Sequence, residues 1–211
     1  MPRLLAVLAT AACVGATAGC FATADAPTAS DAQLAVAHKR AVLWADDARL
    51  VSIVGLEGPV APIAVTLLSL GNGEAVLAEA AADDQVGDGH ARVWAYGYES
   101  PNLGQTLVVA VNGEGDVLGT TTRGETTTQA TLQGWRIDSA SALEIAASSN
   151  PGVQSAASLE GSTVVARLRV DSEGRSVWTI AATTPDAAAP AIVRIDAMTG
   201  QAIATAPTSS A

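Results

Sequence analysis

Cys20 closes the run Thr17-Ala18-Gly19-Cys20, which follows Met1-Pro2-Arg3 and the apolar stretch Leu4 to Gly15. A thiol there can take a diacylglyceryl group through a thioether, and small residues at Ala18 and Gly19 leave the backbone open to a peptidase. The apolar stretch is shorter than the roughly 20 residues a membrane span needs, and it reads as a removable targeting segment. Residues 1–19 are then a signal of the bacterial lipoprotein kind, and Cys20 becomes a lipidated N-terminus carrying acyl chains of the palmitate type. Two or more such chains hold a protein stably on a membrane, whereas one does not. Thr17 departs from the Leu, Val or Ala usual at its place. The rival reading is secretion or release to the periplasm as a soluble chain, with cleavage after Ala24 in the A-x-A run Ala22-Thr23-Ala24.

Little else in the chain offers chemistry. The second cysteine, Cys13, lies inside the signal, so neither a disulfide framework nor a thiolate metal site is expected. His38 and His90 are the only histidines and share no ligand spacing. Asp83, Asp84, Asp88 and His90 surround Gly87 and Gly89. Carboxylate oxygens suit calcium, but the spacing matches no cation loop, and a solvated turn is the reading. Glu57 and Glu160 recur in similar surroundings and could form an acid–base pair; a structural role in each segment is the plainer account. There is no G-x-S-x-G elbow and no phosphate-cradling loop. No catalytic residue, cofactor site or metal site is read, and the chain is taken as non-enzymatic. Trp94, Tyr96 and Tyr98 alternate along one strand and share a face. They are either an aromatic contact surface or a core beneath a helix. Trp178, Ile180 and Ala182 occupy the matching places later in the chain, and all are apolar.

Composition narrows the classes further. The chain has 211 residues, 49% of them hydrophobic but only 3% aromatic, so its core is built of Val, Leu, Ile and Ala around a few Trp. The net charge of −10 disfavours phosphate backbones and anionic headgroups. Nucleic-acid binding is therefore not expected, and contact with a membrane should come through the lipid alone.

The elements that must carry these residues fall into two similar segments. Val51 to Gly58 ends in Leu56-Glu57-Gly58, and Gln154 to Gly161 ends in Leu159-Glu160-Gly161. Seven residues separate Trp94 from Pro101 and Trp178 from Pro185. Apolar runs follow, Leu107 to Val111 and Ala191 to Ile195, each closed by a turn. From Leu-Glu-Gly to Trp the first segment takes 36 residues and the second 17, which an insertion at Pro59 to Gly73 explains. Landmarks in one order mark a repeat. Each segment opens with a helix. Ser30 and Gln33 form a capping box, and the apolar period ends near Ala45 to Asp47. Asp138 or Ser141 caps the second helix, which Asn150-Pro151-Gly152 stops. Thr163 to Val170 and Ser176 to Thr183 flank the hairpin signal Asp171-Ser172-Glu173-Gly174, and Ala91 to Glu99 reads as a strand. The expected fold is α+β, with two tandem modules, each a helix packed on an antiparallel β-meander.

The second segment resembles the PepSY-type domain through Ala142-Leu143-Glu144-Ile145-Ala146, Asn150-Pro151-Gly152, Val177-Trp178-Thr179-Ile180 and Val193-Arg194-Ile195-Asp196-Ala197-Met198-Thr199-Gly200. The first is a looser match, with Asn112-Gly113-Glu114-Gly115 in place of the closing turn. The resemblance implies cystatin-like modules outside the cytoplasm, sometimes linked to protease regulation, with no catalytic residues to carry over. The expected plan is a signal at 1–19, a flexible tether at 20–30, modules at 31–119 and 135–205, and a Thr-rich linker at 120–134. The expected role is a lipid-anchored protein of the cell envelope that works by protein–protein contact, with an extracytoplasmic protease as one such partner. The alternatives are a module binding a peptide or small ligand, with Pro62 to Leu70 shaping a pocket, and an uncharacterised hydrolase.

Overall fold

The computed structural model describes residues 29–58, 91, 93–124 and 129–203. The signal, Cys20, Ala24, the Pro59 to Gly73 insertion and the Asp83 to His90 turn lie outside the described residues. Helix α1 (Ala29–Trp44) leads to β1 (Arg49–Glu57); β2 (Val93–Ser100), β3 (Gln105–Asn112) and β4 (Val117–Gly124) follow. Helices α2 (Ser139–Ser149) and α3 (Pro151–Ser158) precede β5 (Thr163–Val170), β6 (Ser176–Thr183), β7 (Ala191–Asp196) and the short β8 (Ala202–Ile203). The architecture is α+β: one eight-stranded antiparallel sheet in the order β4-β3-β2-β1-β5-β6-β7-β8, with three helices. Among the described residues no helix is long and apolar enough to cross a membrane.

Period-two alternation puts one row of side chains from every strand on the helix side. Val111, Trp94, Gly55, Ala166, Ile180 and Val193 stand opposite one another across six strands. Val109, Tyr96, Ile53, Leu168, Trp178 and Ile195 form the next row. Helix α1 covers β1 to β3, and α2 with α3 covers β5 to β8. Ala37 and Ala41 from α1, Ala142 and Ala146 from α2, and Val153 and Ala156 from α3 join those rows in one hydrophobic cluster. Small helix residues let the backbone sit close to the sheet, so the bulk of the core comes from the strands. Opposite Trp94, a Cβ on Gly55 would lie 2.6 Å from the indole ring, so the ring occupies the space a side chain would need.

Local chemistry fixes the ends. Asp138 accepts a hydrogen bond from the Ser141 N–H at 2.6 Å and caps α2, a contact of the kind that contributes about 1 kcal/mol. Asn150 ends α2, yet its side chain accepts from the Gly152 N–H at 2.8 Å and starts α3, with Pro151 in the first turn. The helical region therefore restarts at the proline instead of stopping there, because a first-turn proline loses no needed donor. Leu159-Glu160-Gly161 consequently belongs to the turn after α3, whereas Leu56 and Glu57 end β1. The two Leu-Glu-Gly runs are not equivalent places. Two further expectations shift. Gln33 donates from Nε2 to the Gly113 carbonyl at 2.9 Å, tying α1 to the β3–β4 turn. Thr120 to Gly124, expected in a linker, are strand β4, and residues 29 and 30, expected in the tether, belong to α1.

Candidate functional site

On the face of the sheet away from the helices, β5 places Arg167 and Arg169 two residues apart. Register sets Arg167 opposite Thr179 on β6, and Thr179 opposite Arg194 on β7. The two arginines thus flank a threonine hydroxyl from strands roughly 10 Å apart. Two residues further along β5, Arg169 stands opposite Val177. Arg167, Arg169, Val170, Asp171, Thr179 and Arg194 line a cavity of about 170 Å³. A second cavity of about 450 Å³ adjoins it at Arg169, Val170 and Asp171 and runs past Val51 and Ala130.

Asp171 is the carboxylate of the smaller cavity and is fully engaged. Its Oδ1 accepts from the Glu173 N–H at 2.9 Å and the Arg175 N–H at 3.0 Å. Its Oδ2 accepts from Arg175 Nε at 3.1 Å, Arg175 Nη2 at 2.8 Å and Arg194 Nη2 at 3.2 Å. Burial alone would raise its pKa; the Arg175 hydrogen bond and the two backbone donors outweigh burial and hold the carboxyl at about 2. Burial pushes the Arg167 guanidinium down from its ordinary value. Four of the chain's eleven basic residues (Arg167, Arg169, Arg175 and Arg194) lie in this region; Arg175 and Arg194 both reach Asp171, and Arg175 also pairs with Glu173 at 3.1 Å. Such a place offers planar, forked donors suited to carboxylate or phosphate oxygens.

The edge of the sheet is the other feature open to contact. Among the described residues β4 pairs only with β3. Leu118, Thr120 and Thr122 are exposed, in alternation with half-buried Val117, Gly119 and Thr121. The strand is eight residues long and carries neither proline nor lysine, two of the devices that blunt an edge, and its pairing with β3 is irregular only at Leu118. At the far end, β8 is two residues long.

The residues singled out from sequence are distributed otherwise. Trp94, Tyr96 and Tyr98 are each 0% exposed and lie in the core, which corrects the contact-surface reading. The Tyr98 hydroxyl and Trp94 Nε1 are buried without hydrogen-bond partners among the described residues. Burial pushes the Tyr98 phenol well above its ordinary range. His38 is exposed on α1, its ring 6.1 Å from that of Tyr98. Glu57 is buried at the end of β1 and Glu160 is exposed after α3, so the suggested pair is not assembled by symmetry of position. No cluster of His, Cys, Asp or Glu suited to a metal exists among the described residues. The arginine row was missed from sequence. Its one local signal was Arg167-Leu168-Arg169, an alternation that puts both guanidinium side chains on one face of a strand. Compared with models of protein families, with curated proteins and with solved structures, the chain matches none of them.

Proposed function

We propose that the chain is a non-enzymatic lipoprotein of the cell envelope. In this reading it is anchored through Cys20 and built from two tandem PepSY-like, cystatin-like modules, the first running from α1 to the end of β4 and the second from about residue 135 onward. It works by holding an extended segment of another protein against strand β4. The open edge of β4 carries this reading. Among the described residues the outer backbone donors and acceptors of β4 are unpaired, and along Gly119 to Gly124, beyond the irregularity at Leu118, they form a template for one more strand, with alternate side chains selecting the sequence that docks. The apolar run of the signal followed by a small-residue cysteine site supports the anchor.

The order of the strands supports the duplicated plan. In the sheet order β1 and β5, the first strands of the two segments, lie side by side at the centre, with β2, β3 and β4 following outward on one side and β6, β7 and β8 on the other. Trp94 and Trp178 then both sit on the second strand of their copies, each fully buried.

The test is site-specific photo-crosslinking in intact envelopes. A crosslinker at Thr120 or Thr122 should yield a discrete protein adduct, and one at Glu173, on the β5–β6 hairpin, should not. A pattern with no adduct at either β4 position, or the same adduct at all three, overturns strand addition. An envelope protease is the specific partner suggested by the PepSY resemblance. It is supported if the adduct is a protease whose cleavage rate changes on adding this protein. Intact-mass measurement of the membrane fraction checks the anchor separately: acylation at Cys20 supports it, and a soluble product beginning at Asp25 removes it.

A further inference from the structure

We infer that the segment received at β4 is a strand with large apolar residues and one acidic residue on the side facing α1. It sits in the step between β4 and the flank of that helix formed by Val36, Arg40 and Leu43. This rests on strand addition at β4 and names the chemistry of the segment added. Placement comes first. Val36, Arg40 and Leu43 follow one another at i, i+4 and i+7, so they share one stripe of α1. Ala37 and Ala41, each 0% exposed, face the sheet. Gln33 reaches the Gly113 carbonyl, and a Cβ on Gly115 would lie 3.9 Å from Val36 Cγ2. The stripe therefore descends from the β3–β4 turn on the side of α1 nearer β4. Thr120 stands opposite Val109 and Thr122 opposite Leu107, which puts both threonines on the helix side of β4. With its side chains a helix reaches about 5–6 Å to each side of its axis, and strands lie about 4.8 Å apart. Because α1 packs on β1 to β3, and most closely on β3, its flank ends above β4, and the next strand outward meets that flank from the side.

Surface chemistry comes second. Leu43 is 72% exposed, the largest value for a big apolar side chain among the described residues. Leu118, at the pairing irregularity of β4, is 44% exposed. Large apolar side chains on an added strand would take both leucines out of water, with the threonine methyls between them. Arg40 is exposed and makes no ion pair among the described residues, and β4 carries neither Asp nor Glu. Glu114 and Asp116 stand in the β3–β4 turn at the upper end of the step, where Asp116 accepts from the Asn112 side-chain amide at 3.3 Å, and Asp46 follows the helix. One carboxylate placed between these ends meets Arg40. A run of acids would meet Glu114, Asp116 and Asp46 instead, on a chain of charge −10. A second copy is the poorer occupant: its β4 brings no carboxylate to Arg40, and its own Arg40 approaches the same margin.

The test titrates the full mature chain with end-blocked peptides at constant ionic strength and follows backbone NMR shifts. The probes are Thr-Ile-Thr-Glu-Thr-Ile-Thr, the same peptide with Lys for Glu, and the same peptide with Ser for both Ile. Shifts along Gly119 to Gly124 report strand addition, and shifts at Arg40 and Leu43 report the flank. The glutamate peptide should move both sets. It should bind about two- to fivefold tighter than the lysine peptide and about tenfold tighter than the serine peptide. Leu43→Ser should weaken both isoleucine peptides, and Arg40→Glu should reverse the preference between glutamate and lysine. Both residues are exposed, so neither change disturbs the core. Val42→Ser, also exposed but off the stripe, should leave binding unchanged. Movement of Gly119 to Gly124 without Arg40 and Leu43, or wild-type binding in both variants, overturns the inference and leaves strand addition standing. Concentration-dependent shifts of that strand without peptide place a second copy there and overturn it too. No response of β4 to any peptide also overturns it, and crosslinking at Thr120 and Thr122 then decides strand addition by itself.

Discussion

Trp94 on β2 and Trp178 on β6 are both fully buried on the helix side of the sheet, yet their surroundings differ at each point. Trp94 stands opposite Gly55, whose missing side chain gives the ring its room, whereas Trp178 stands opposite Leu168. The Trp178 indole donates to the Ile137 carbonyl at 2.6 Å, while Trp94 Nε1 has no acceptor among the described residues. One helix covers β1 to β3, against two helices for β5 to β8. The β5–β8 half is the better satisfied, with its tryptophan hydrogen-bonded and its helices capped by Asp138 and Asn150. The β1–β4 half tolerates buried polar groups at Trp94 and Tyr98, and among the described residues its outer strand β4 pairs on one side only.

Steric substitutions break the contrast hardest. Leu168→Ala removes bulk from a packed row and should cost about 2–5 kcal/mol in urea unfolding. Gly55→Ala acts in the opposite sense, forcing a methyl against the Trp94 ring, and should cost about 1–3 kcal/mol. Adding Trp94→Leu should recover part of the Gly55→Ala loss and none of the Leu168→Ala loss. Equal behaviour of the two backgrounds would show that the ring and the glycine are not coupled.

The hydrogen bonds sharpen it next. Trp178→Phe leaves the Ile137 carbonyl without its donor, whereas Trp94→Phe removes a group that was already unpaired. Trp178→Phe should therefore be the more destabilising by about 1–2 kcal/mol. Tyr98→Phe deletes a buried hydroxyl without a partner and should be neutral or stabilising by up to about 1 kcal/mol. A clear loss of stability in Tyr98→Phe would mean that the hydroxyl is bonded in solution.

These differences explain what the residues announced and what they withheld. Thr163–Val170 and Ser176–Thr183 coincide with the expected strands because Asp171 and Gly174 mark the turn locally: the Asp171 side chain caps two backbone donors and Gly174 takes a φ of 80°. Helix α1 ends at Trp44, at the edge of the expected stretch, where the apolar period breaks. The restart at Pro151 was hidden because Asn-Pro-Gly suits a stop and a start equally well. The alternation of Trp94, Tyr96 and Tyr98 gave a shared face but not its burial, which depends on α1 lying across it. The union of β1 with β5 leaves no local trace, since its partners are more than a hundred residues apart in the chain. The arginine site is illegible for the same reason: Arg167 meets Arg194 only through the register of β6 between them.

Acid provides the finest distinction between the halves. Asp47, after α1, is held below its ordinary value chiefly by the Ser100 hydroxyl at 2.5 Å and the Asn102 N–H at 2.8 Å. Asp171 is held lower, at about 2 against an ordinary 3.8, because burial is overcome by a guanidinium and two backbone donors. A carboxyl whose folded pKa is depressed binds its proton more tightly when unfolded. Its stabilising effect is therefore complete above about pH 4 and is lost as the pH falls towards 2. Asp171→Asn should lower the urea midpoint at pH 6 and flatten its decline between pH 4 and 2. Asp47→Asn should do the same to a smaller degree. Its partners are a hydroxyl and one backbone amide rather than a positively charged group, and hydrogen bonds to charged donors are the stronger kind. If the two variants flatten the acid limb equally, the arginines around Asp171 are solvated in the folded chain, and the contrast between the two halves lies in packing rather than in charge.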